Sequence, residues 1–466
     1  MAALVSSRAF LRSTRSAAGP AKLAIASASA AAALARPAFG CSLASSFRWY
    51  ASSGSSNDAS LRKTALYDLH LQHGGKMVPF GGFHMPVQYS GLSVSASHHF
   101  TREKASLFDV GHMVQRHFTG PGAAAFLEAL TPSGIEALEV HRSTLSTFLW
   151  ANSSGGIVDD TVITRLGPQH FYVVTNAACR DKDDAYLAHW LADEKLRDRL
   201  PGAVHHEELA GWGLVALQGP LAKDILAECL ADGEAADLPN LFFGGSLYAR
   251  LRLPASTTAP LEELELSSPL LISRAGYTGE DGFEISIPPE ETVAVTEALL
   301  ATAGPERLQF AGLGARDSLR LEAGMCLYGH DLDDTTSPVE AGLSWIIPKA
   351  RRNDFSFNGA ETILEQLRPK SQGGVGVTRR RVGLVVDGAP AREGAEIVEA
   401  GESGAVIGRI TSGCPSPTLG KNIAMGYIKD GLHKSGTEVG VVVRGKTRRA
   451  VVTKMPFVPA KYWKGQ

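Results

Sequence analysis

Two adjacent carboxylates, Asp159 and Asp160, interrupt an otherwise apolar run, Gly155-Gly156-Ile157-Val158-Asp159-Asp160-Thr161-Val162-Ile163. The flanking residues favour a buried strand. Alternation then sets Asp160 on one face with Val158 and Val162, and Asp159 on the other with Ile157 and Ile163. A carboxyl in partly apolar surroundings keeps its proton to higher pH and becomes a better proton acceptor near neutrality. A strand-end aspartate capping the neighbouring turn is the competing reading, and the pattern does not separate the two.

Two further groups carry chemistry-bearing side chains. In Tyr277-Thr278-Gly279-Glu280-Asp281-Gly282-Phe283-Glu284, two glycines bracket an acidic turn, and residues 283–287 then alternate as a strand. Glu284 falls opposite Phe283, Ile285 and Ile287, so by pattern alone it faces solvent. In Gly312-Leu313-Gly314-Ala315-Arg316-Asp317-Ser318-Leu319-Arg320-Leu321-Glu322, the two arginines share a helix face one turn apart. A guanidinium offers a planar fork of donors suited to a carboxylate or a carbonyl edge. Spacing alone favours an exposed salt-bridge network with Asp317 and Glu322.

Gly312 and Gly314 do not make a dinucleotide fingerprint, and no Walker loop, H-E-x-x-H or G-x-S-x-G motif occurs. The doublets His98-His99 and His205-His206 lack metal-ligand spacing and read as surface histidines, so no metal is expected. Lys446, Arg448 and Arg449 read as a solvated strand edge.

The elements that must position these groups follow from pattern. The chain has 466 residues, 44% hydrophobic and 20% charged, with a net charge of -2. That is room for about three domains. The charge balance gives no field drawing the protein to nucleic acid or acidic membranes. Five scattered cysteines, with no C-x-x-C pair, argue for a reducing compartment. Residues 145–150, 156–164 and 170–175 read as strands, and residues 221–230 and 288–300 as helices, the second with acids in its first turn. The interleaving predicts an α+β architecture over residues 60–370. Residues 254–269 read as a surface loop, and a Gly-rich joint spans residues 369–378. Beyond it, residues 381–386, 396–398, 405–411, 423–428, 438–443 and 449–453 are short β runs, which predict a small barrel or sandwich over residues 378–466.

No acidic residue precedes Asp58, whereas Arg8, Arg12, Arg15, Lys22, Arg36 and Arg48 stand among many Ala and Ser. That is the composition of an organelle transit peptide, set here at residues 1–50, and Arg48-Trp49-Tyr50-Ala51 resembles a mitochondrial processing site. A plastid address and an addressless Ala-rich tail are the alternatives. The apolar stretch at residues 23–34 is too short to span a bilayer.

Taken together and in order, the motifs closely resemble the glycine cleavage T-protein family. They include His73-Gly74-Gly75-Lys76-Met77, Phe108-Asp109-Val110-Gly111-His112-Met113, Leu217-Gln218-Gly219-Pro220, the Tyr277–Gly282 turn, Ala315-Arg316-Asp317-Ser318-Leu319-Arg320, Thr411-Ser412-Gly413-Cys414-Pro415, and Lys454-Met455-Pro456-Phe457. The resemblance implies a three-domain cloverleaf around a central folate channel, with a C-terminal β-barrel domain. It implies a mitochondrial-matrix aminomethyltransferase that moves a one-carbon unit from lipoylated H-protein to tetrahydrofolate, with no tightly bound cofactor. By its motifs, Asp160 is the catalytic carboxylate, Glu284 and Arg316 bind the pterin, Tyr462 completes the pocket, and Tyr277 and Met113 line it. Gly111 departs from the Ser that many members carry. A folate-dependent demethylase of the same fold, or a folate-binding iron–sulfur assembly factor, are the alternatives. The K-G-C-Y-type motif of the latter is absent, and no dinucleotide domain precedes the region, as flavin-linked relatives would need.

Overall fold

Alternating β-branched and aromatic residues make Arg142–Leu149, Ile157–Gly167 and His170–Thr175 neighbouring antiparallel strands, and Val114–Thr119 and His205–Glu208 extend them into a five-stranded sheet. The protein is described by a computed structural model over residues 61–253, 265–401 and 404–465. The expected transit segment at residues 1–50, and residues 254–264 of the expected surface loop, lie outside the described residues. The C-terminal end of that expected loop is not a loop: Glu265–Leu266 is a short strand that pairs antiparallel with Arg252–Leu253, and Ser267 after it is buried. Helices Ala123–Leu130 and Arg180–Ala192 supply Phe126, Leu127, Tyr186 and Leu187 to a core shared with Phe118, Phe148, Ile163 and Phe171 of the sheet.

A second sheet has six strands in the order Ser246–Ala249, Leu270–Ser273, Gly282–Ile287, Gly213–Gln218, Ala105–Asp109 and Leu308–Phe310. One of its faces packs Leu217, Phe283 and Ile285 against helices Ala222–Cys229 and Thr292–Ala303. The second helix begins later than its sequence suggests. Pro288 and Pro289 follow directly on the strand ending at Ile287, and the Pro288 carbonyl accepts from Thr292 Oγ1 at 2.9 Å, so Glu290 and Glu291 precede the first turn.

The other faces of the two sheets turn inward. Phe108, Ala216 and Leu271 from the six-stranded sheet meet Tyr172 and Val174 from the five-stranded one, together with Ala315 and Leu319 of helix Leu313–Glu322. Strands of both sheets are therefore covered on both faces. Gly156, leading into the Asp159–Asp160 strand, is required by close approach: a Cβ there would lie 1.8 Å from the Asp334 carbonyl oxygen. Gly156→Ala is expected to cost at least the ~1–3 kcal/mol of overpacking, read as a lower Tm.

The six C-terminal β runs form a closed barrel of Arg379–Val386, Lys421–Lys429, Val406–Ser416, Glu396–Glu399, Glu438–Val443 and Lys446–Thr453. Closure leaves no open edge. Leu384, Ile397, Ile410, Ile428 and Val441 fill it. Arg449 on its rim pairs with Glu438 and Asp387, the solvated edge expected.

Helix Leu313–Glu322 ties the barrel to the rest, and here the expected surface network proves to be buried. Arg320 donates from Nη1 to Asp331 at 2.7 Å and from Nη2 to Ser412 Oγ at 2.9 Å. Glu322 accepts from Arg102 at 2.8 Å, Ser416 at 2.5 Å and Thr418 Oγ1 at 2.7 Å. His98, read as a surface residue, is fully buried between Ser318 at 2.8 Å and Thr418 at 2.9 Å, because the barrel covers its helix. Among the described residues no helix is long and apolar enough to cross a membrane.

Candidate active site

The interior faces of the two sheets leave a small hollow between them. Val162 and Thr164 line it from strand Ile157–Gly167, and Ser273, Glu284 and Ser286 line it from the opposite sheet. Asp160 lies two residues before Val162 on the same face. Asp159 points the other way and is fully buried. A β-bulge controls this arrangement: Phe148 pairs with Asp159 and Leu149 with Ile157, which leaves Val158 as the extra residue. The bulge moves Val158 into the core with Ile163, so it does not share the face of Asp160 as strict alternation predicts.

Asn176, just past strand His170–Thr175, joins the two carboxylates. Its Nδ2 donates to Asp159 Oδ1 and to Asp160 Oδ1, each at 2.8 Å, and its backbone N–H donates to Asp159 Oδ2 at 2.8 Å. Burial, and then the negative charge of Asp159, push the Asp160 carboxyl up to about 7. Asp160 thus exchanges a proton in the range where a base is useful. If it acts as a base, rate rises with pH through about 7 and falls below it, because the protonated form has nothing to accept with. A pH–kcat profile reads this directly. A flat profile from pH 6 to 8 would contradict it.

Glu284 is not solvent-facing. The strand that carries it is covered on both sides, Phe283 and Ile285 in the helix-packed core and Glu284 in the hollow. Burial raises its carboxyl, and the charge of Arg316 opposes the rise. Arg316 crosses the Tyr277 ring with its guanidinium carbon 4.7 Å from the centroid. Its Nη1 is buried and without a hydrogen-bond partner. A buried guanidinium with a free donor is costly unless something occupies that position, so this atom fits a ligand oxygen. Tyr277 donates through its hydroxyl to the Cys326 carbonyl, which fixes the ring beneath Arg316.

Met113 is half-buried and packs against the inner cluster of Phe108, Tyr172 and Ala315. Tyr462 stacks on Phe243 at 4.1 Å between centroids, and neighbouring Lys461 bonds through its backbone N–H to the Gly279 carbonyl at 2.8 Å. Tyr462 therefore stands by the acidic turn, without a hydrogen bond or ring contact to Asp160, Glu284 or Arg316. The structure brings Glu284 and Tyr277 together around Arg316, and the charge of Asp160 also reaches the Tyr277 phenol and raises it.

Several groups had no assigned role from sequence. Asn176 is one; its only signal was an amide directly after a β run. His112 is another: it is buried between Phe80 and Phe83, burial and then Arg316 bring it down to about 4, and its Nδ1 has no partner. It is neutral at physiological pH. Gly111 donates its backbone N–H to Asp109 Oδ1 at 2.8 Å, so the departure from Ser keeps a local bond.

Comparisons with known proteins match the chain to two family models in succession. The GCVT N-terminal domain matches residues 66–351, and the glycine cleavage T-protein C-terminal barrel domain matches residues 379–459. The chain is 47% identical over 412 residues to the probable mitochondrial aminomethyltransferase of Schizosaccharomyces pombe, spanning 88% of this chain and 97% of that one. It is 44% identical over 403 residues to the mitochondrial aminomethyltransferase of Mus musculus, spanning 86% and 91% respectively. The crystal structure of glycine cleavage system aminomethyltransferase T from Bartonella henselae matches with a TM-score of 0.73 at 36% identity, over 87% of this chain and all (100%) of that one.

Proposed function

Because the chain belongs to the glycine cleavage T-protein family of aminomethyltransferases, we propose that its hollow receives tetrahydrofolate and that Asp160 serves the folate nitrogen that takes up the one-carbon unit. The donor is an aminomethyl group on the lipoyl sulfur of H-protein. Its compartment is the mitochondrion, named for the S. pombe and Mus musculus relatives, and the matrix is the finer placing proposed.

The observation that carries the reading is a proton acceptor poised near pH 7, Asp160, on a strand that lines the hollow, with the buried, unpartnered Nη1 of Arg316 near Glu284, which lines the same hollow from the opposite sheet. A pterin ring presents N3–H beside its amino group, a donor–donor edge that a carboxylate accepts as a bidentate pair. Glu284, in the hollow with the charge of Arg316 favouring its ionised form against burial, suits that edge. The free Nη1 of Arg316 suits a ligand carbonyl. In the transfer, the two folate nitrogens form C–N bonds to the methylene while its C–N and C–S bonds break. Ammonia and the lipoyl thiol leave, and each takes up one of the protons that the folate nitrogens lose. Asp160 accepts or orients the proton at the attacking nitrogen. Holding two large carriers in register supplies much of the remaining acceleration.

The test is to supply the mature protein with aminomethylated H-protein and tetrahydrofolate. Methylene-tetrahydrofolate and ammonia are expected in equal amounts. Activity on a methylated amine or sulfur donor, with none on loaded H-protein, would overturn the assignment. Glu284→Ala is expected to weaken tetrahydrofolate binding by about tenfold to a hundredfold, the cost of a charge-assisted hydrogen-bonded pair. Titration of the free protein with folate measures it, and unchanged affinity would remove Glu284 from the site.

A further inference from the structure

Behind Asp160, on the far side of its strand, lies a carboxyl pair that the reaction above leaves unused. Asp159 and Asp183 are both fully buried, with their carboxyls in hydrogen-bond contact. Asp159 is well supplied with donors: the backbone N–H and Nδ2 of Asn176, each at 2.8 Å, and the Cys179 thiol. Asp183 is not. Neither of its oxygens has a donor from any other residue. Arg116 turns its guanidinium to Asp184 at 2.6 Å and His206 at 3.3 Å. Lys182 donates to Tyr328 at 2.5 Å and Asp334 at 2.9 Å, and the Tyr186 hydroxyl donates to the Leu149 carbonyl at 2.7 Å.

Two ionised carboxylates in contact, away from water, repel each other, and the one without a donor loses its hydration for nothing. A single proton between them removes the repulsion and supplies the missing donor. The Asn176 bonds favour the charged form of Asp159, so the proton belongs on the other partner.

We propose that Asp183 is the protonated member of this pair and donates to Asp159, which fixes Asp159 and, through Asn176, orients Asp160. Burial and the charge of Asp159 hold the proton on Asp183 against the pull of Arg116 and Lys182. Asp183 is then a positioning residue, and it keeps the charge behind Asp160 at one rather than two. Its effect on turnover rests on the role proposed for Asp160. The place of the proton does not.

Infrared difference spectra between the wild-type protein and Asp183→Asn at neutral pH test the proton. Loss of the carbonyl stretch of a water-excluded carboxylic acid is expected, and loss of carboxylate bands instead would overturn the proposal. Turnover tests the consequence. Asp183→Leu, which has no donor, is expected to lower kcat by about tenfold to a hundredfold, whereas Asp183→Asn retains a donor and should restore both kcat and the position of the acid limb. Equal losses in the two variants would overturn the positioning role. If Asp160 has another role, the acid limb fails to follow it while the infrared result stands.

Discussion

Asp160→Asn is expected to lower kcat by about two to four orders of magnitude, the usual worth of a positioned proton acceptor, while leaving tetrahydrofolate affinity nearly unchanged. The amide oxygen can still accept from Asn176, whose Nδ2 lies 2.8 Å from Asp160 Oδ1, so the local geometry survives. What disappears is the ability to take a proton. A second readout separates this from simple damage. The folded protein holds the Asp160 proton up to about 7, against 3.8 for a free carboxyl. Between those values the folded state binds more protons than the unfolded state, so this group costs stability as pH rises through the window and the cost is complete above it. Asn never ionises. The variant should therefore gain Tm relative to wild type as pH is raised from about 4 to 8. Full turnover in the variant would dismiss Asp160 as the proton acceptor. A variant that loses turnover and also loses stability at high pH would point to misfolding instead.

How much of this was legible beforehand depended on whether a signal was local. The strands around Asp160 and the six barrel strands have period-two patterns within single segments, and these predicted them well. Glu284 was misplaced because period two says which residues share a face but not what covers it. Its face lies against the other sheet rather than water. The same gap hid His98, Arg320 and Glu322, whose partners Thr418, Ser412 and Ser416 come from the barrel about ninety or more residues further on. The bulge at Val158 is a matter of register with Phe148, so no reading of that strand by itself contains it. Asn176 and Asp183 matter through what they face. The resemblance assigns roles to Asp160, which pattern leaves open, and to Glu284 and Arg316, which pattern sets at the surface, because a motif carries the record of contacts that periodicity cannot.

Asp331 shows how the barrel bears on the site, and Asp331→Ala is expected to cost about 3–5 kcal/mol, the penalty for leaving a buried charge without its partner. Its carboxylate is buried and accepts from Arg320 at 2.7 Å, Thr411 Oγ1 at 2.5 Å, Ser412 Oγ at 2.9 Å and the Leu327 N–H at 3.0 Å. Removing it strands Arg320, whose other carboxylate partner, Asp317, is half exposed and less able to neutralise a charge inside the protein. It also unfastens strand Val406–Ser416 from helix Leu313–Glu322. Arg316 lies one turn earlier on that helix, so its aim into the hollow should loosen with it. Thermal unfolding should show the loss, and hydrogen exchange should quicken in both the helix and the strand. Asp331→Asn keeps one acceptor oxygen but not the other or the charge, and should fall between the two. A loss below about 1 kcal/mol in Asp331→Ala would mean that Asp317 alone balances Arg320. Weakened folate binding without faster exchange in the helix would mean that Asp331 reaches the site electrostatically, since its negative charge also raises the carboxyl of Asp160.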